Sequence, residues 1–248
     1  MTGRDHHLER MMFLVIPDIH GQKAELDRVL RLADAQCGRG ARIVFLGDLV
    51  DRGPDSRGVI QTIIDGIEAG RDWIVLRGNH DQMFLDFLRA AERGDTDLRA
   101  GAGWLGGNLG GIETLRSYGI DIPIDAAGWR VVADSVPGRH KKFLAGLPFC
   151  HETQDHFLVH AGIRPGVPLS HQDRSDMIWI REPFLSDTRD HGKLIVHGHT
   201  PVETPTHFGN RVNLDGGAGW GRPLNVARFD GPDISLLTEA GPQPIRRA

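Results

Sequence analysis

Cysteine is nearly missing from this sequence. Cys37 and Cys150 are the two in 248 residues. They do not form a spaced thiolate motif, so a closed structural zinc site built on cysteine is excluded. They read as small apolar residues in a reducing compartment, with one disulfide as the lesser alternative. Long apolar runs are missing too, and none nears the ~20 residues that span a bilayer. The early stretch "MMFLVIP" is too short for a secretory core and is followed at once by charge. No membrane contact and a cytoplasmic location are therefore expected. A basic excess is also lacking. The formal net charge is −4, which argues against a nucleic-acid coat or a binder of anionic membranes.

What remains is ordinary in amount, with 40% hydrophobic and 25% charged residues, as in soluble globular proteins. The length fits one large α/β domain with a sizeable core. The order of residues is more telling. Short apolar runs each give way to polar clusters: "MMFLVI" to "PDIHG", "RIVFLG" to "DLVDRG", "DWIVLR" to "GNHD", "HFLV" to "HAGIRP", and "KLIV" to "HGHTP". Continuous Val- and Ile-rich runs suit strands buried on both faces. Between the first three lie "QKAELDRVLRLADA" and "RGVIQTIIDGIEAG", apolar at helical spacing. Alternating β and α predicts a mostly parallel central sheet, with ligands at the carboxyl ends of its strands. All five clusters fall at that edge.

The stretch from about 82 to 150 breaks this rhythm. "FLDFLRAAERGD" and "RHKKFLAGLPF" read as helices, and the glycine-rich "GAGWLGGNLGGIETLRSYGI" between them as irregular. It is expected to be an insertion packed over the strand ends of a domain running from 11 to 240. Residues 1–10 are expected to be a flexible leader, and 241–248 ("PQPIRRA" after Gly241) a frayed tail.

The clusters hold Asp18, His20, Asp48, Asp51, Asn79, His80, Asp81, His160, His197 and His199. Carboxylate, amide and imidazole without thiolate suit Mn, Fe, Zn or Ni better than Ca. Asp18 and His20, two apart on a strand, point to one face and can grip one ion together. The candidates exceed the needs of one metal, and one shared carboxylate would hold two ions roughly 3.5–4 Å apart. Singly, each cluster is more often a capped turn or a hydrogen-bonded strand end. Five in order at five strand ends are hard to produce by turn chemistry alone. His6 and His7 belong to the polar leader, and His140, His151, His156, His171, His191 and His207 read as surface or packing residues.

From about residue 12 to 225 the chain resembles the calcineurin-like metallophosphoesterases of the phosphoprotein phosphatase type. The blocks GDxHG, GDxVDRG, GNH(E/D), a later single His, and GHT correspond to those quoted above. Pro17 departs from the usual glycine. The resemblance implies a single-domain, four-layer α/β/β/α sandwich. It implies that Asp18 and His20 bind the first metal and that Asp48 bridges both. Asn79, His160 and His199 would bind the second, with His197 behind them. The metals are expected to be two divalent ions, manganese by family habit. His80 would protonate the leaving group, Asp51 would orient it, and Arg52 would bind the phosphoryl group. The second arginine would be Arg181, after a tryptophan, in preference to Arg164. The implied reaction is attack by a hydroxide bridging the two metals, with phosphoserine or phosphothreonine in proteins as the leading substrate. Symmetrical hydrolysis of dinucleoside tetraphosphates is the alternative, in which Trp104, Tyr118 and Trp220 could stack an adenine. A non-catalytic regulatory protein on the same fold is a third reading. No nucleic-acid partner is expected.

Overall fold

The apolar runs form strands, as their continuity demands. The structure, a computed structural model, describes residues 12–93, 103–120 and 129–248. The expected leader at 1–10 lies outside the described residues, as does part of the 82–150 insertion.

In chain order the strands are β1 (Phe13–Ile16), β2 (Arg42–Phe45), β3 (Trp73–Val75), β4 (Cys150–Glu152), β5 (His156–Val159) and β6 (Leu194–His197). More polar segments supply β7 (Thr206–His207), β8 (Arg211–Asn213), β9 (Ala227–Asp230), β10 (Asp233–Thr238), β11 (Gly241–Pro244) and β12 (Arg246–Arg247). The helices are α1 (Lys23–Cys37), α2 (Ser56–Glu68), α3 (Asn79–Arg93), α4 (Gly111–Ser117), α5 (Trp129–Ser135), α6 (Gly138–Gly146) and α7 (Arg174–Trp179). None is long and apolar enough to cross a membrane.

Two mixed sheets replace the single parallel sheet that alternation alone predicts. One runs β11-β10-β9-β1-β2-β3 and the other β12-β7-β8-β6-β5-β4. Parallel pairing is confined to β1–β2–β3, β5–β6–β8 and β12–β7, and the remaining pairs are antiparallel. The four-layer arrangement implied by the resemblance is therefore the one observed.

Alternation along each strand explains the layers. Leu14, Ile16, Ile43 and Phe45 pack against Leu26, Val29, Val59 and Ile63 of α1 and α2. Phe13, Val15 and Val44 point the other way and meet Leu158, Val196 and Val212 of the second sheet. The outer face of that sheet puts Phe157, Val159 and Ile195 against Met177, Ile180 and Phe184. Strands covered on both faces need no polar alternation. The helices are placed by local signals: α2 starts at Asp55, whose carboxylate accepts from the Gly58 N–H at 2.7 Å, and α1 stops at Gly38 with φ +81°.

Two expectations are corrected here. The glycine-rich segment is not wholly irregular, because "GIETLRS" forms α4, packed on α2. The terminal segment 241–248 is not frayed. β11 pairs with β10 in one sheet, β12 pairs with β7 in the other, and Ile245 between them is 7% exposed in the layer between the sheets. Pro242 and Pro244 are tolerated because β11 is an edge strand. Burial of Ile245 with backbone pairing on both sides holds a segment whose composition looks unstructured.

Ile245→Ala should therefore lower the unfolding free energy by about 2 kcal/mol or more, as for other buried aliphatic truncations. A urea unfolding curve superimposable on the parent's would return 241–248 to the status of a free tail.

Candidate metal centre

The loops after β1, β2, β3, β5 and β6 meet at one edge, and backbone contacts lock them together. Ile19 and His20 donate their N–H groups to Asp48 O at 3.0 and 2.8 Å, and Gly53 N–H donates to His20 O at 2.9 Å. Gly198 N–H donates to His160 O at 2.8 Å in the second sheet. Gly47 (φ +100°) faces Gly78 so closely that a Cβ on it would fall on the Gly78 backbone nitrogen. Asp81, in the first turn of α3, clasps the same loops. Its Oδ2 accepts from Asp48 N and Gly78 N and its Oδ1 from Leu49 N, each at 2.9 Å.

The backbone is strained where the chemistry is expected. Among the described residues, the non-glycine positions with positive φ are His20 (49°), Asp48 (51°), Asp51 (75°), Arg52 (66°) and His199 (66°). Such conformations cost on the order of 1–3 kcal/mol each and persist only where surroundings over-determine them. Here the interlocked loops do so, and contacts join these side chains to the site, His20 to Asp48 and Arg52, His199 to Asn79, and Asp51 to His80.

Two donor groups result, and they share Asp48. His20, Asp48 and His80 place ligand atoms within 4.8 Å of one another, as do Asp48, His160 and His199. His20 Nε2 lies 3.4 Å from Asp48 Oδ2, and His160 Nε2 lies 3.5 Å from Asp48 Oδ1. Asn79 Oδ1 is 2.9 Å from both His160 Nε2 and His199 Nδ1. Asp18 lies against the loop after β6, its carboxylate accepting from the His199 N–H at 3.0 Å. His197 turns elsewhere: its Nδ1 is 3.1 Å from Gly198 O and its Nε2 3.3 Å from the Arg211 guanidinium.

These donors fit a cation. Burial pushes the Asp18 and Asp48 carboxyls well above the usual range, and Asp215 and Asp18 respectively add to the shift. Burial also holds the His20 and His160 rings well below their ordinary value, and His199 down to about 3. The rings are thus neutral and able to ligate. His160 meets oxygen at both nitrogens, Leu46 O at 3.0 Å and Asn79 Oδ1 at 2.9 Å. A neutral ring has one N–H, so one lone pair must face an oxygen, a contact that becomes attractive with a cation between them. His20 Nδ1 donates to Val50 O at 2.9 Å, which leaves Nε2 facing Asp48. Backbone acceptors of this kind fix the tautomer of metal-binding histidines.

His80 is better suited to carrying a proton than to ligating. Its Nδ1 is 2.6 Å from Asp51 Oδ2, and its Nε2 accepts from an Arg52 N–H at 3.1 Å. Arg52 also donates to His20 Nε2 at 2.6 Å, and its guanidinium lies 4.5 Å from the Trp220 ring centroid. Arg164 is bound to Asp176 by two contacts of 2.6 and 2.7 Å, whereas Arg181 is exposed and its charge helps lower the His199 pKa. Trp104 and Tyr118 do not offer a stacking face, because both are buried, and Tyr118 bonds His140 Nδ1 at 2.8 Å. Trp220, 60% exposed, keeps that possibility.

Sequence reasoning missed three participants. Asp215, buried beside Asp18 and raised to about 6 chiefly by burial, follows β8 in the loop "NLDGG". Trp104 and Thr114 both bond the Asp51 carboxylate at 2.7 Å. A tryptophan in a glycine-rich stretch was the available signal. Asp81, noted among the cluster residues, proves to be a clasp. Asp81→Ala, which strands three backbone N–H groups, should destabilise the fold by about 3 kcal/mol and reduce bound metal. An unchanged urea midpoint with full metal content by elemental mass spectrometry would remove that role.

The calcineurin-like phosphoesterase family matches residues 11–236. The chain is 26% identical over 226 residues to bis(5'-nucleosyl)-tetraphosphatase PrpE (asymmetrical) of Anoxybacillus flavithermus, covering 83% of this chain and 81% of that one. It is 28% identical over 227 residues to serine/threonine-protein phosphatase 1 of Salmonella typhimurium, covering 87% and 90%. A crystal structure of a candidate diadenosine tetraphosphatase superposes with a TM-score of 0.65 at 21% identity, covering 92% of this chain and 94% of the other, which speaks for the fold. The two-sheet scaffold is thus shared, and this chain belongs to the calcineurin-like phosphoesterase family and is a hydrolase of phosphoester bonds.

Proposed function

We propose that this protein hydrolyses phosphomonoesters, with phosphoserine and phosphothreonine in proteins as its leading substrates. The observation that carries the reading is the sharing of Asp48 between two buried donor groups. Asp18, His20 and Asp48 would hold one divalent ion, and Asp48, Asn79, His160 and His199 the other. Asp18 is taken in place of His80 because its carboxylate repels that of Asp48 and the His80 Nδ1 is committed to Asp51. Manganese suits the mixed O/N donors. The free thiols of Cys37 and Cys150 support a cytoplasmic setting.

When bound, such a pair supplies hydroxide at neutral pH and neutralises charge on phosphoryl oxygens. The chain's own residues do the rest. Arg52, its guanidinium stacked under Trp220, presents N–H groups toward the pocket and would grip the phosphoryl oxygens. Arg181 is the second candidate for that grip, since Arg164 is already paired with Asp176. His80, held at Nδ1 by Asp51, would take a proton at Nε2 as Arg52 turns from it to the phosphoryl oxygens, and would give that proton to the departing oxygen. His80→Asn should lower kcat by about 10²–10⁴ on esters with poor leaving groups, with both metals retained. Undiminished turnover of a phosphoserine peptide by that variant would remove His80 from the role.

A second reading has its own support: hydrolysis of dinucleoside tetraphosphates. Trp220 beside Arg52 and Trp179 beside His199 (ring centroids 6.3 Å) are 60% and 43% exposed at the pocket edge, where indoles could stack a base. Tetraphosphatase relatives of this chain bear the asymmetrical name, not the symmetrical one its blocks suggest. A non-catalytic role loses ground because the donor set converges intact. Competing a phosphoserine peptide against diadenosine tetraphosphate should give the higher kcat/KM on the peptide. A preference for the dinucleotide would reverse the order of the two readings, and the nucleotides released would identify the bond cut.

A further inference from the structure

We propose that Trp104 and Thr114, outside the metal-binding clusters, are positioning residues that aim the leaving-group proton through Asp51. This rests on reading His80 as the proton donor. Asp51 is 0% exposed, and its carboxylate accepts three hydrogen bonds. Oδ2 takes the His80 Nδ1–H at 2.6 Å and the Trp104 indole N–H at 2.7 Å, and Oδ1 takes the Thr114 hydroxyl at 2.7 Å. The Thr114 oxygen in turn accepts the Asp51 backbone N–H at 2.8 Å, and Ser56 Oγ accepts the same N–H at 3.0 Å. The next residue is held as well, because Arg52 N–H donates to Gly110 O at 3.3 Å. One short segment, 104–114, therefore fixes both the carboxylate and the left-handed backbone of Asp51.

The support closes on itself. Trp104 is buried against Phe84 and Phe87 of α3, with ring centroids 5.3 and 4.8 Å away. His80 stands in the first turn of the same helix. One rigid element thus sets the acid directly and its orienting carboxylate through the indole. In the step itself, the P–O bond to the leaving group breaks as the Nε2 proton of His80 passes to that oxygen. Water supplies the oxygen that phosphorus gains, the imidazole is left neutral, and Asp51 stays ionised. Two further donors on Asp51 hold it in one rotamer, so the imidazole cannot swing away from the departing oxygen.

A merely structural role would lower activity evenly on every substrate. A positioning role acts only where protonation is needed, because a nitrophenolate leaves without a proton and a phenolate or alkoxide does not. The test is kcat across substituted phenyl phosphates for Trp104→Phe, Thr114→Val, Thr114→Ser and His80→Asn, with metal content measured for each. Trp104→Phe and Thr114→Val should lose about tenfold on phenyl phosphate but about twofold or less on p-nitrophenyl phosphate, with KM and metal content held. Thr114→Ser, which keeps the hydroxyl, should restore the parent's dependence. If His80→Asn shows no leaving-group dependence, the proton-donor reading fails. If His80→Asn is steep while Thr114→Val and Trp104→Phe lose equally on all substrates, or not at all, the positioning inference is overturned. Should Trp104→Phe fail to fold, Thr114→Val decides the matter alone.

Discussion

Asp48 is almost fully buried, faces a histidine on each side, and has its carboxyl raised by burial and by the nearby Asp18 charge. Lone carboxylates do not stay ionised in such surroundings. The constraint is eased by positive charge, and much of the nearby structure serves that requirement. Neutral imidazoles are held with lone pairs inward by backbone carbonyls, and Arg52 reaches in from the rim. Compensation among neighbours explains how "DLVDRG" can sit at a buried strand end. Asp48 faces the imidazoles of His20 and His160, Asp51 faces His80, and Arg52 faces His20 and His80.

The fold's contribution is to bring two sheets' ends together at that point. His20, Asp48 and Asn79 come from the first sheet, and His160 and His199 from the second. The inter-sheet layer of Phe13, Val15, Val44, Leu158, Val196 and Val212 fixes how the two halves face each other. A pocket built across such an interface is only as well aligned as that layer is well packed, since interiors are close-packed and transmit small shifts. The backbone bonds between loops, and the Asp81 clasp, refine the alignment locally.

Much of this was legible in the sequence, for a physical reason. Strands buried on both faces appear as unbroken apolar runs, and a polar cluster after such a run has few structural explanations. The five clusters, α1 and α2 could be read that way. The second half of each sheet could not, because β7, β8 and β9 are short or mixed in polarity. β11 and β12 carry proline, glycine and arginine, whose pairing depends on Ile245 finding the inter-sheet layer. Trp104 and Thr114 were hidden differently. Their bonds to Asp51 span 53 and 63 residues, and no local periodicity records a contact of that range. The same distance effect led to Trp104 and Tyr118 being read as possible base-stacking residues, although both are core.

The left-handed backbone at His20, Asp48, Asp51, Arg52 and His199 sets a limit on how this protein can be made sturdier. Glycine relaxes such positions, and selection for heat resistance alone would drift toward it there. Each such exchange would erase a functional group along with the local tension. Tolerance of heat and chemical competence are thus opposed at five codons, and laboratory evolution of a hardier variant has to look to the helical shell and the sheet margins instead.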